Sequence, residues 1–239
     1  MEPMEVIRLG ITGTPIKLDV LYHIKEVTNS KRRELEIALE SMTRMNEFDQ
    51  SLEQYPTPAS IVSTVLHSAH MEHGDISGKT VCDLGCGDGI FAIGAALLGA
   101  EQVIGVDVQS KALKASQRNS RQLGTEDTVD WVLGDVSSLQ TLRSVDTVVS
   151  NPPFGVKKRG ADLRFLQKAI SIADVTYSMH LAGDKNRVFL EKEINRLGAK
   201  VTQLETFQFP IPKLFESHRK QKHMINVDLY RICTQERKD

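Results

Sequence analysis

Between Lys79 and Gly198 the chain alternates short apolar runs with longer helix-like segments, punctuated by glycine, and this restricts the fold more than any other feature. Thr80 to Leu84 reads as a buried strand ending at Gly85, and Gly89 to Leu98 as an apolar helix stopped at Gly99. Gln102 to Val106 reads as a second strand ending at Asp107, and Ser110 is expected to cap a helix running through Leu123 to Gly124. Val129 to Leu133 and Val145 to Ser150 are strands three and four, followed by a helix over Ala161 to Ala173. Thr176 to Leu181 is strand five, Asp184 to Leu197 a helix stopped at Gly198, and two longer strands lie near 200–208 and 224–233. Strands alternating with helices predict an α/β fold with a parallel sheet covered on both faces. Such sheets bind ligands beyond the C-terminal ends of their strands.

Upstream, Ser30 reads as an N-cap and Lys31 to Met45 has helical composition, with apolar Leu35, Leu39, Met42 and Met45. Thr57 and Pro58 read as the N-cap and first residue of a helix to about His70, burying Ile61, Val62, Val65, Leu66 and Ala69. Residues 1–30 predict only a short extension or small hairpin. The expected organisation is therefore an extension over 1–30, N-terminal helices over 31–75 and an α/β core over 79–233, with 31–239 one domain.

Charge excludes some classes. Thirty Lys+Arg against 31 Asp+Glu give a formal net charge of −1, which argues against a whole-surface nucleic-acid binder but not against local patches. Two such patches stand out: Lys157, Lys158, Arg159, Arg164 and Lys168, and Lys213, Arg219, Lys220 and Lys222 with His218 and His223. No run approaches the roughly 18 apolar residues of a membrane helix. Three cysteines, Cys82, Cys86 and Cys233, are too few for a disulfide framework, and no His pair sits beside them at ligand spacing. Buried thiols in a reducing compartment are expected, hence a cytoplasmic protein with no structural metal.

Strand one runs into Asp83-Leu84-Gly85-Cys86-Gly87-Asp88-Gly89. A dinucleotide fingerprint requires Gly-x-Gly-x-x-Gly, but Ile90 stands at the third glycine position and Gly89 falls one residue early. Asp83 would also repel a pyrophosphate. An acidic loop suits a cofactor with a cationic amino-acid end. Asp107, ending strand two, is placed to accept from ribose hydroxyls. Asp135, after strand three, is placed to accept from an adenine N6 amine, with the Val136 backbone beside it. Three acids at three successive strand ends resemble the S-adenosylmethionine site of the class I methyltransferases.

Strand four ends in Asn151-Pro152-Pro153-Phe154. This tetrad resembles that of the amino-methyltransferases, and its residue types suit the task. An exocyclic amine is a poor nucleophile because its lone pair is delocalised into the ring. The Asn151 side-chain oxygen and the Pro152 carbonyl each accept one N–H, favouring pyramidal nitrogen with its lone pair aimed at the methyl donor. The prolines fix φ and so hold that carbonyl. Phe154 is expected to offer a face to an unstacked base. Orientation and electrostatics would carry the rate. The tetrad alone leaves RNA adenine, DNA adenine and protein glutamine open.

Gln54-Tyr55-Pro56-Thr57, Leu98-Gly99-Ala100, Gly155 after the tetrad, Tyr177-Ser178-Met179-His180 and the run Phe215 to Asp228 complete a closer resemblance. Together they resemble the methyltransferase-like-protein-five family, the small-subunit rRNA N6-adenosine methyltransferases. The resemblance implies a seven-stranded Rossmann-like sheet of order 3-2-1-4-5-7-6 with an N-terminal helical lid. It implies S-adenosylmethionine held by Gln54, Thr57, Gly85, Gly87, Asp88, Ile90, Asp107, Asp135 and Val136, with Asn151, Pro152, Pro153 and Phe154 on the target adenine. It also implies a small zinc-binding activator protein that adds a strand to the sheet. Strand three, with Val129, Trp131 and Leu133, should be the edge that invites it. The two basic clusters are expected at the catalytic rim, positioning RNA through phosphates. A module that keeps cofactor affinity but serves only ribosome assembly is the competing reading, and the intact tetrad argues against it.

Overall fold

The computed structural model describes residues 31–45, 55–139, 144–154, 160–212 and 222–234. Two helices lead, α1 over residues 31–40 and α2 over Ala59–Met71. The core then runs β1 (Thr80–Leu84), α3 (Ile90–Leu97), β2 (Gln102–Asp107), α4 (Ser110–Gln122), β3 (Val129–Leu133) and a short 3-10 turn over Val136–Ser138. It continues through β4 (Val145–Ser150), α5 (Ala161–Ile172), β5 (Ala173–Leu181) and α6 (Asp184–Arg196) to β6 (Ala199–Pro212) and β7 (Lys222–Thr234). The strands form one seven-stranded sheet of order β3-β2-β1-β4-β5-β7-β6.

β1 to β5 pair in parallel, as the alternation predicts, but β7 is antiparallel to both β5 and β6. The sheet is therefore mixed. β7 pairs antiparallel with β6, and only parallel neighbours require a crossover. The central strands are apolar at successive positions because both faces are covered. Val81, Val103 and Val149 lie in the core with Leu39, Val62, Leu66 and Ile93 of α1 to α3, while Cys82, Leu84, Val106 and Val148 pack with Ala169 and Ile172 of α5. A third cluster joins Leu166 and Ile170 of α5 to Leu190 and Ile194 of α6 over Tyr230 and Ile232 of β7. The three cysteines are free thiols, with Cys82 and Cys86 buried.

Four local expectations change. Helix α1 stops at residue 40, short of Met45, because Thr43 N–H donates to the Asn119 side chain instead of continuing the helical ladder. Pro58, not Thr57, occupies the α2 cap position, and no side-chain hydrogen bond caps that helix, since the Thr57 hydroxyl is engaged across the molecule by Asn151. Ser110 is the first residue of α4 and does not cap it; the Asp107 carboxylate accepts the Gln109 N–H at 2.8 Å just ahead. Trp131 lies on the edge strand β3, yet its ring packs inward: a Cβ at Gly105 would sit 2.5 Å from it, and one at Gly89 2.6 Å. Leu133, at 61% exposure, is the apolar side chain that this edge presents. Residues 1–30, Ser30, Gln54, Gly155, Lys157, Lys158, Arg159, Lys213, Phe215, His218, Arg219 and Lys220, and the side chains of Lys222 and His223, lie outside the described residues.

Candidate active site

A cleft of about 370 Å³ opens at the C-terminal ends of β1, β2, β3 and β4. Its floor is the turn after β1. Gly85, Gly87 and Gly89 all have positive φ (77°, 56° and 86°), a backbone that only glycine adopts without strain. Gly85 is also crowded, for a Cβ there would meet the Phe165 ring of α5 at 2.9 Å. The turn is tied down by the Gly85 and Cys86 N–H groups, both donating to the Val106 carbonyl.

Four aspartates line this cleft, Asp83, Asp88, Asp107 and Asp135, and Arg164 is its one cationic residue among those described. Asp83 is fully buried and accepts the Ala92 N–H of α3 at 3.1 Å. Burial pushes its carboxyl up to about 8; the Ala92 N–H opposes the rise, and the charges of Asp107 and Asp88 add to it. Asp107 accepts the Gly87 N–H at 2.9 Å on one oxygen and the Gln109 N–H at 2.8 Å on the other. Burial holds its carboxyl above the ordinary range against those bonds. The Val108 N–H is a third backbone donor to this carboxylate, whose roughly four acceptor sites leave room for a ligand hydroxyl. Asp135 accepts the Ser137 N–H at 2.8 Å and so caps the 3-10 turn that carries Val136 into the cleft. The cleft is negative and floored by glycine backbone, which suits a cationic ligand.

Asn151 sits at the end of β4, held high on the sheet by Ser150, whose hydroxyl donates to the Leu84 carbonyl at 2.8 Å. The Asn151 Nδ2 donates to Thr57 Oγ1 at 2.9 Å, whereas Oδ1 is buried with no hydrogen-bond partner. An unpaired buried acceptor costs about 1–3 kcal/mol. Asn151 lines the cleft, and this is the acceptor its side chain has left for a ligand N–H. Pro152 and Pro153 line the same space.

Phe154 departs from expectation. It is only 7% exposed, stacked against Tyr55 (centroids 6.1 Å, 17°) and edge-on to Phe209 (5.8 Å, 87°). Its face is covered by Tyr55, so the ring serves as a wall that steadies the tetrad, not as an open platform. Every described residue assigned to cofactor or substrate by sequence, Thr57, Gly85, Gly87, Asp88, Ile90, Asp107, Asp135, Val136 and Asn151 to Phe154, lines this one cleft. The sequence reading missed Arg44, which donates to Asp88 Oδ2 at 2.7 Å and to the Thr57 carbonyl at 3.0 Å. It also missed Asn119, which bonds Thr43 and the Asp88 carbonyl, and Phe165. No local pattern marks them, because their partners lie tens of residues away. Of the rim cations, Arg164 lines the cleft, while Lys168 donates to the Leu139 carbonyl at 2.7 Å. Among the described residues no group of three or more His, Cys, Asp or Glu is placed to hold a metal ion, and no helix is long and apolar enough to cross a membrane.

The strand order and the position of the cleft define a class I methyltransferase fold. The comparisons with known proteins narrow this. The profile of ribosomal protein L11 methyltransferase (PrmA) matches residues 62–152, from within α2 to the start of the tetrad. The rRNA N(6)-adenosine-methyltransferase METTL5 of Danio rerio is 35% identical over 206 residues, covering 84% of this chain and 98% of its own. Mettl5 of Drosophila melanogaster is 34% identical, covering 84% and 96%. A candidate RNA methyltransferase of Pyrococcus horikoshii, known from its crystal structure, superposes with a TM-score of 0.78 at 40% identity, covering 85% of this chain and 97% of that one. The chain belongs to the METTL5 family of rRNA N(6)-adenosine-methyltransferases.

Proposed function

We propose that this protein transfers the methyl group of S-adenosylmethionine to the N6 amine of an adenosine in small-subunit ribosomal RNA. The observation that carries the reading is the orphaned Asn151 Oδ1, an acceptor fixed at the rim of an acidic, glycine-floored cleft. The cofactor supplies an electrophilic methyl on a cationic sulfur. In this reading the backbone of Gly85 and Gly87 lets it approach, Asp83 and Asp88 favour its positive charge, Asp107 and Asp135 accept from its ribose and base, and Ile90, Val136 and Thr57 complete the wall, with Gln54 contributing from outside the described residues. Asn151 and the Pro152 carbonyl accept the two N–H bonds of the amine and turn its lone pair toward the methyl carbon. The N–C bond forms as the S–C bond breaks, and the amine then gives up one proton to water. The adenosine must leave its stack to reach the cleft, which costs a few kcal/mol.

Residues 31–239 act as the methyltransferase domain in this reading, with 1–30 an extension and 31–75 the lid. Arg164 and the basic segments around it meet the RNA backbone, and Lys213, Arg219, Lys220 and Lys222 form the second phosphate-contacting cluster. A small zinc-binding activator adds a strand beside β3, where the unpaired edge and Leu133 support such docking. The protein works in the cytoplasm. The test is incubation of the protein, alone and with that activator, with labelled cofactor and total RNA, followed by nucleoside mass spectrometry. N6-methyladenosine in small-subunit rRNA is expected, with a loss of at least a hundredfold in Asn151→Ala. Label confined to DNA or to protein glutamine would reject the RNA assignment, and rRNA methylation undiminished in Asn151→Ala would reject the role of the tetrad.

A further inference from the structure

The Asn151 side chain is anchored from behind, where its Nδ2 donates to Thr57 Oγ1 at 2.9 Å. Thr57 is itself held, because its carbonyl accepts from Arg44 at 3.0 Å. The same guanidinium donates through Nε to Asp88 in the glycine turn at 2.7 Å. Four segments far apart in sequence therefore form one line: the turn after β1, the stretch after α1, the residue before α2 and the end of β4. Thr57 and Asp88 are shielded, at 5% and 7% exposure.

We propose that Thr57 and Arg44 are positioning residues, Thr57 anchoring the Asn151 side chain at the end of β4 and Arg44 tying Thr57 to the cofactor turn through Asp88. This rests on the methyl-transfer reading above and adds a dependence that reading does not contain. Arg44 uses two nitrogens of a rigid fork in two directions, a geometry that an ammonium group does not reproduce. Removing the Thr57 hydroxyl takes away the acceptor of Nδ2, and the Asn151 side chain loses its anchor.

The experiment is single-turnover methyl transfer to RNA at saturating cofactor and RNA, so that binding drops out of the rate, with folding checked by Tm. Cofactor affinity is read in parallel from the fluorescence of Trp131, the only tryptophan, whose ring lies against Gly89. Thr57→Val is expected to slow transfer about tenfold or more, and Thr57→Ser, which keeps the hydroxyl, to stay within about threefold of the parent. Arg44→Lys, which keeps the charge and loses the fork, is expected to slow transfer about threefold or more. A Thr57→Val protein at the parental rate, or a Thr57→Ser protein as slow as Thr57→Val, overturns the role of Thr57. An Arg44→Lys protein at the parental rate removes Arg44 from the line. If Thr57→Val does not fold, Thr57→Ala takes its place with the same expected loss and the same overturning results, and Arg44→Lys still decides on Arg44. A parent protein that methylates no RNA sinks the methyl-transfer reading itself, an outcome distinct from an active parent with indifferent variants.

Discussion

Asp83 is an acid of the cleft whose chemistry is strongly displaced by its position. Its carboxyl sits near 8 in the folded protein against 3.8 in the free side chain, chiefly because it is buried. From about pH 4 to pH 8 the folded protein therefore holds a proton there that the unfolded chain has released. This group's contribution to stability is complete below pH 4 and is lost as pH rises through 8. A cation in the cleft favours the carboxylate, so cofactor binding should expel that proton. Affinity is then expected to rise between pH 6 and 8, by up to about tenfold per unit, and to level off above 8. Calorimetry in buffers of different ionisation heat should detect the released proton, and Asp83→Asn should flatten the profile. An affinity in the parent that is flat from pH 6 to 8 would show that Asp83 does not face the bound charge. Much of this site was legible in the sequence, because strand ends, glycines and acids are local signals. What was not legible is how the acids are used: Asp107 and Asp135 spend bonds on backbone N–H groups, and Asp88 on Arg44. Phe154 was misread because an aromatic beside a tetrad gives no sign that Tyr55 will cover its face.

At the scale of elements, the edge strand and the cofactor turn are joined by one ring. Trp131 of β3 lies across Gly105 of β2 and touches Gly89, so glycine at 105 is a matter of room and not of backbone freedom. Gly105→Ala puts a methyl 2.5 Å from that ring, which must move. Overpacking of this kind costs about 1–3 kcal/mol. Denaturant unfolding should show that loss for Gly105→Ala, and Trp131→Phe in the same chain should restore part of it, giving a coupling that two independent sites would not show. An alanine variant as stable as its parent would mean the ring does not occupy that space. The sequence marked β3 as an edge, yet could not say which way its one tryptophan points, since period-two alternation assigns a side but not a partner. Boundaries failed for a similar reason at α5 and β5, where Ile172 is followed directly by Ala173 with no turn residue to separate helix from strand.

For the molecule as a whole, charge sets how RNA arrives. The net charge is −1 and the cleft is acidic, so no broad positive field draws a polyanion in. The pull must come from a few cations at the rim. Of the first basic cluster, Lys168 is spent on the Leu139 carbonyl, whereas Arg164 is exposed and lines the cleft. Each phosphate that a protein neutralises on single-stranded nucleic acid contributes about 0.7 to the slope of log affinity against log salt. A rim built this way predicts a shallow slope of roughly 2–4, far from that of a protein with a basic face. Arg164→Gln should lower the magnitude of that slope by about 0.7, while Lys168→Gln should leave it where it was, because its ammonium is held at the Leu139 carbonyl and does not line the cleft. Binding isotherms on a small-subunit rRNA fragment across a salt series measure both. Equal changes in the two variants would mean the cluster acts as an undivided cloud of charge, and a slope untouched by Arg164→Gln would assign the RNA contacts to the second basic cluster instead.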